Sequence, residues 1–147
     1  MNKAEQKFRE SLSNNEALKV EWATTWHEDR EISPGVPDMH YVMKGQPGEE
    51  FRVGWIELKA IETNITASQH IKVEPSQHQY IRRWSPLMPI HFMVRIKSWV
   101  HLIPGAYHRE LASATCLADI AAISVLTFDQ SQIAAVLPPY LRQITKI

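Results

Sequence analysis

Apolar residues recur at two spacings along this chain, a period of two that marks strands and steps of three and four that mark helices. Phe8 and Leu12 lie four apart among polar neighbours, which predicts a short helix over Ala4–Ser13, broken by Asn14 and Asn15. Leu18, Val20, Trp22, Thr24 and Trp26 alternate with Lys19, Glu21, Ala23 and Thr25, the pattern of a first strand. The charged stretch from Glu28 turns at Ser33-Pro34-Gly35 and Pro37. Met39–Met43 predicts a second strand, Lys44-Gly45-Gln46-Pro47-Gly48 a turn, and Phe51–Ile61 a third strand paired with the second as a hairpin. Thr63–Glu74 is polar and reads as a mobile loop. Pro75 suits the first turn of a helix whose face is Gln77, Tyr80, Ile81 and Trp84, ended by Pro86 and Pro89. Ile90, Phe92, Val94 and Ile96 make a fourth strand and Trp99–Ile103 a fifth, closed by Pro104-Gly105. Farther on, Thr115–Ala122 predicts a helix and Ser124–Phe128 a strand. Asp129 with Gln132 predicts a capped helix that runs to Leu137 and stops at Pro138-Pro139. The sum is a small mixed α/β domain.

Composition narrows the classes. At 147 residues one core and one domain are expected, and 44% hydrophobic with 22% charged residues argues against disorder. Sixteen basic residues balance sixteen acidic ones, which excludes nucleic-acid binding by bulk basicity but leaves a local basic patch open. The single cysteine, Cys116, excludes an internal disulfide framework and zinc sites with two or more Cys ligands. It lies in an apolar run and is expected to be a buried filler. The seven histidines show no metal-ligand spacing. No signal-like segment and no apolar run of about 20 residues is present, so the expectation is a soluble, intracellular (cytoplasmic) protein away from the membrane.

Chemistry concentrates between Ser33 and Ala60. On the third strand Phe51, Val53, Trp55, Glu57, Lys59 and Ile61 share one face, and Arg52, Gly54, Ile56, Leu58 and Ala60 the other. Glu57 and Lys59 can address one target, about 6.6–7 Å apart along the strand, while Ile56, Leu58 and Ala60 anchor the opposite face. Asp38 begins the paired strand, so the hairpin can bring it beside Glu57. Two carboxylates about 4 Å apart repel by roughly 4 kcal/mol at an effective dielectric of 20, so the pair needs a counter-charge. Lys59 supplies one positive charge and a divalent cation two, with Asp38, Glu57 and a backbone carbonyl as the hard oxygen ligands Mg²⁺ prefers. A cation and a lysine around one phosphate suit phosphodiester hydrolysis. Blander readings stand beside these: turn chemistry for Asp38 after its proline, a solvated strand face for Glu57 and Lys59, and a polar residue near a helix start for Gln77. Glu5-Gln6-Lys7 repeats the Glu-x-Lys spacing, but on a helix, where i and i+2 do not share a face.

Pro37-Asp38 followed by Glu57-x-Lys59 resembles the signature of the PD-(D/E)XK nuclease superfamily. Gly35-Val36-Pro37-Asp38, Trp55-Ile56-Glu57-Leu58-Lys59, and Gln77 with Tyr80 and Ile81 are most similar to its VRR-NUC and Holliday-junction-resolvase-like branch, over roughly Ala4–Ile96. The resemblance implies a restriction-endonuclease-like α/β core, a central mixed sheet flanked by helices in the order α-β-β-β-α-β. On that reading residues 1–147 form one nuclease domain, with a core over about 4–103 and a C-terminal α/β extension over 104–147. It implies that Asp38, Glu57 and the Leu58 carbonyl bind Mg²⁺, with Mn²⁺ as a substitute, that Lys59 positions or activates the attacking water, and that Gln77 supports the site. A glutamate of the first helix also contributes in such nucleases; Glu5 is the choice and Glu10 its rival. DNA is the implied partner, with Lys59, Arg52, Lys72, Arg82 and Arg83 as candidate phosphate contacts and a homodimer as the assembly that paired cuts would use. Standalone VRR-NUC proteins of this length resemble phage or mobile-element genes. The activity implied is a Mg²⁺-dependent endonuclease, structure-specific for branched or junction DNA. The alternatives are an exonuclease or flap nuclease of the same fold, an inactive DNA-binding module, or a structural protein in which the motif is coincidence.

Overall fold

A computed structural model describes residues 2–27, 34–45 and 52–144 of the protein. Helix α1 (Lys3–Ser13) is opened by Asn2, whose side chain accepts from the Glu5 N–H, and it buries Phe8 and Leu12. A single helical turn, α2 (Glu16–Lys19), leads into β1 (Trp22–Trp26), followed by β2 (Met39–Met43) and β3 (Arg52–Ile61). Helix α3 (Pro75–Trp84) then connects β3 to β4 (Ile90–Ile96), and β5 (Trp99–Pro104) follows. The remaining chain forms α4 (His108–Ser113), α5 (Leu117–Ile123), β6 (Leu126–Asp129) and α6 (Ile133–Ile144).

The strands form one six-stranded sheet in sequence order, β1 to β6. Neighbours are antiparallel except β3 and β4, which α3 joins as a parallel pair. This is the mixed sheet flanked by helices that the sequence predicts. Each side of the sheet carries its own core. Phe8, Leu12, Ile56, Leu58, Ala60, Leu137 and Leu141 belong to the cluster under α1 and α6. Ile81, Phe92, Val94, Ile103, Leu111 and Ile120 belong to the cluster under α3, α4 and α5. The central strands are therefore buried on both faces, and every residue of β4 is buried. Residues 104–144 are woven into this body: β6 pairs with β5, and α6 covers the first cluster.

Several expectations need correction. Leu18–Glu21 is not strand; Leu18 is fully buried in a helical turn and Val20 is exposed. The predicted loop over Thr63–Glu74 lacks regular structure but buries Ile65, Ile71 and Val73 in the second cluster. Helix α4 has no counterpart in the sequence reading. Pro138 and Pro139 do not stop the last helix but lie inside it. An internal proline removes an N–H and crowds the carbonyl four residues back. Here Ile133, Leu137 and Leu141, four apart, hold the helix on the core through that defect. Cys116 is an exposed thiol at the head of α5, not a buried filler. Phe51, Gln46–Gly48 and most of the charged stretch from Glu28 lie outside the described residues. Among the described residues no helix is long and apolar enough to cross a membrane.

Candidate active site

Pairing between β2 and β3 ends at Met39 opposite Ile56, while pairing between β3 and β4 runs on to Ile61. The edge of β3 beyond Ile56 is thus left without a strand partner on the β2 side, and Asp38 fills that gap. Its Oδ2 accepts from the Leu58 N–H at 2.7 Å, and its own backbone N–H donates to Glu57 Oε2 at 3.0 Å. The two acidic residues are joined in this way, and each is only 2% exposed. In an extended strand a residue's N–H and C=O project toward the same edge. The Leu58 carbonyl therefore belongs to the same side as the Asp38 carboxylate.

Gln77 completes the set from α3. Its Nε2 donates to Glu57 Oε1 at 2.6 Å, and its Oε1 accepts from Lys59 Nζ at 3.1 Å and from the Glu74 N–H at 2.9 Å. One amide thus bridges an anion and a cation, donor toward the carboxylate and acceptor toward the ammonium. No other uncharged side chain of this length offers both. Lys59 Nζ is also 3.8 Å from Glu57 Oε1. Lysine has three donors, and the contact with Gln77 occupies one.

Two glycines set this geometry. Gly54 faces Tyr41 across the hairpin, and a Cβ there would lie 2.2 Å from the tyrosine Oη. Gly35, at φ +84°, brings the turn before Asp38 against the start of α3, where a Cβ would lie 2.2 Å from the Ser76 carbonyl oxygen. That contact holds the Asp38 segment against the helix that carries Gln77.

Glu5 reaches the neighbourhood from α1. Burial pushes its carboxyl above the ordinary range, and the field of Asp38 pushes the same way, while Lys59 opposes both. Glu10 is exposed on the same helix. Glu5 thus lies within the fields of both Lys59 and Asp38. The candidate phosphate contacts are scattered. Arg52 lies on the opposite strand face and donates to the Arg142 carbonyl, so it is committed to α6 rather than to the Glu57 side. Lys72 is exposed beside Glu74, at 3.4 Å. Arg83 sits over the Trp84 ring at 5.1 Å, and Arg82 opens toward a cleft on α3. The sequence reading missed His78, His108 and Arg109, which adjoin that cleft; the helix carrying the last two gave too short a pattern to see.

The donor set suits a divalent cation. Two buried carboxylates and the half-buried Glu5 lie near one another, and every ligand atom they offer is a hard oxygen. Among the described residues no group of three His, Cys, Asp or Glu is placed to hold a metal by itself. A cation here would take Asp38, Glu57, the Leu58 carbonyl and several waters, the habit of Mg²⁺.

No family model matches the chain, and no curated protein matches it. Among solved structures it is similar to Hjc, a Holliday junction resolvase from the archaeal hyperthermophile Archaeoglobus fulgidus, at 14% identity and a TM-score of 0.46 over 88% of this chain and 97% of that one.

Proposed function

We propose that the protein is a divalent-metal-dependent endonuclease that hydrolyses DNA phosphodiester bonds, with a preference for branched or junction DNA. The observation that carries the reading is the hydrogen-bonded chain Leu58–Asp38–Glu57–Gln77–Lys59, which draws acids, amide and amine from three chain segments into one buried set. A structural role alone would not call for two adjacent buried carboxylates, because each costs several kcal/mol to desolvate.

When bound, Mg²⁺ would supply positive charge to the scissile phosphate and ease the deprotonation of water. Asp38, Glu57 and the Leu58 carbonyl would hold it. Lys59, fixed by Gln77, would direct its remaining donors to the attacking water or to the charge growing on the phosphate oxygens. Water oxygen bonds to phosphorus, the bond from phosphorus to the leaving sugar oxygen breaks, and that oxygen takes up a proton. Gln77 holds Lys59 and Glu57 at a fixed separation, so neither collapses onto the other.

The test is a panel of four-way junction, flap, single-stranded and linear DNA with Mg²⁺ or Mn²⁺. Internal cuts, strongest on branched DNA, lost with EDTA and lost in Asp38→Asn, are expected. Cleavage that persists in Asp38→Asn would remove the proposed chemistry, and cutting confined to ends would make it an exonuclease.

A further inference from the structure

Beside the active site, α3 presents a second chemical face. Pro75, His78, Gln79 and Arg82 stand at i, i+3, i+4 and i+7, one stripe of the helix, turned away from Gln77. Arg109 of α4 lies opposite, and these five residues line an open cleft of about 360 Å³. Arg82 and Arg109 are exposed, and among the described residues neither has a carboxylate within ion-pair distance. Behind them His78 Nδ1 and His108 Nδ1 are 2.5 Å apart, so one nitrogen donates and the other accepts, and the pair holds at most one extra proton. Both imidazoles are pushed below their ordinary range, first by burial, with Arg109 and Arg82 adding to it, His78 also feeling Lys59, and Glu110 opposing for His108. Both guanidiniums line one concave surface, each with its donors in a fixed fork.

We propose that this cleft binds a backbone phosphate of the DNA strand outside the scissile position, held by Arg82 and Arg109 with the His78–His108 pair as its floor. The proposal rests on the nuclease reading for the identity of its ligand, but the anion site itself does not depend on catalysis. It also explains how a chain of zero net charge can hold a polyanion: the cations that matter are local.

The experiment uses the full chain and the double variant Arg82→Gln/Arg109→Gln. Both side chains are exposed, so folding is expected to be retained. Lys97→Gln, on the distant β4–β5 turn, serves as control. Binding of labelled junction DNA is followed by anisotropy with Ca²⁺ across a salt series. In parallel, inorganic phosphate is titrated while the imidazole resonances of His78 and His108 are observed. The double variant should bind DNA roughly 10- to 100-fold more weakly, its log–log salt slope should shrink by about 1 to 2, and its imidazoles should lose their response to phosphate, while Lys97→Gln behaves as wild type. Wild-type affinity and slope in the double variant would overturn the phosphate site and leave the nuclease reading standing. Imidazoles that respond to phosphate in a protein that binds no DNA would do the reverse.

Discussion

Two places in this sheet bury charge, and they settle it in opposite ways. On β4, Arg95 is held over the Phe8 ring, and its guanidinium donates to the Lys97 and Ala4 carbonyls and to Glu62 at 2.9 Å. One buried cation meets one anion, and that anion is at the surface, where water carries part of the cost. Beside and on β3, Asp38 and Glu57 are both buried, Glu5 stands close by, and Lys59 Nζ lies 3.8 Å from Glu57. The first arrangement is balanced and can be left as it is. The second sets two buried carboxylates side by side, which on the proposed reading is where a bound cation would supply the balancing charge.

The largest expected effect would test that carboxylate pair. Asp38→Asn and Glu57→Gln should each lower cleavage by about a thousandfold or more, because they remove charge at the metal while keeping shape. Their effects on folding should differ. Asparagine can still accept from the Leu58 N–H. Glutamine at 57 sets an amide donor against Gln77 Nε2, and turning Gln77 over would set its Nε2 against Lys59. Denaturant unfolding should therefore show Glu57→Gln less stable by about 1–3 kcal/mol. The swap Glu57→Gln/Gln77→Glu restores donor–acceptor matching and total charge, so it should recover stability without recovering cleavage. Recovery of both would mean that only the charge count matters, not its position.

Lys59→Ala should abolish turnover while Mn²⁺ still binds by calorimetry, since the ligands would remain. Gln77→Ala should lower cleavage less, by about ten- to a hundredfold, as expected of a residue that positions others.

A third solution to burial sharpens the contrast. His91 is buried on β4 with its ring edge-on to Tyr140, and burial lowers it from 6.5 to about 4. It stays neutral when folded, whereas the unfolded chain takes up a proton below pH 6.5. Stability from this group is complete above pH 6.5 and falls as pH drops toward 4, by about 3 kcal/mol in all. Thermal melts across pH 4–7 should show that slope, flattened in His91→Phe.

The smallest effect is expected at the balanced pair. Glu62→Gln should leave cleavage unchanged and hardly move the melting temperature, because Arg95 keeps its two carbonyl acceptors.

The sheet and the grouping of the candidate residues were legible for the same reason. Alternation over Val53–Ile61 places Glu57 and Lys59 on one face, and antiparallel pairing of β2 with β3 brings Asp38 beside them, so pattern and chemistry fall within one short stretch. What stayed hidden has physical causes. Leu18 and Trp22 are four apart, a spacing shared by a strand and a helical turn; Asn15, whose side chain caps the Leu18 N–H at 3.1 Å, was the signal that decides between them. Pro138-Pro139 reads as a stop because local geometry says so, and packing of Leu137 and Leu141 overrules it. Helix α4 is six residues long, too brief for a period to register. The pairing of Arg52 with α6 depends on a contact 90 residues away.

The contact between Gly35 and Ser76 bears on mechanical tolerance. Side chains settle by rotating, so joints made through them have play. At this joint the backbone of one segment rests on the backbone of another, with no side chain between to take up error. The spacing between Asp38 and Gln77 is then fixed by atomic radii rather than by rotamer choice. A single methyl at position 35 would act as a shim, pushing the start of α3 outward. A displacement of about 1 Å can cost a hundredfold in rate, and here it would shift Gln77 and His78 together.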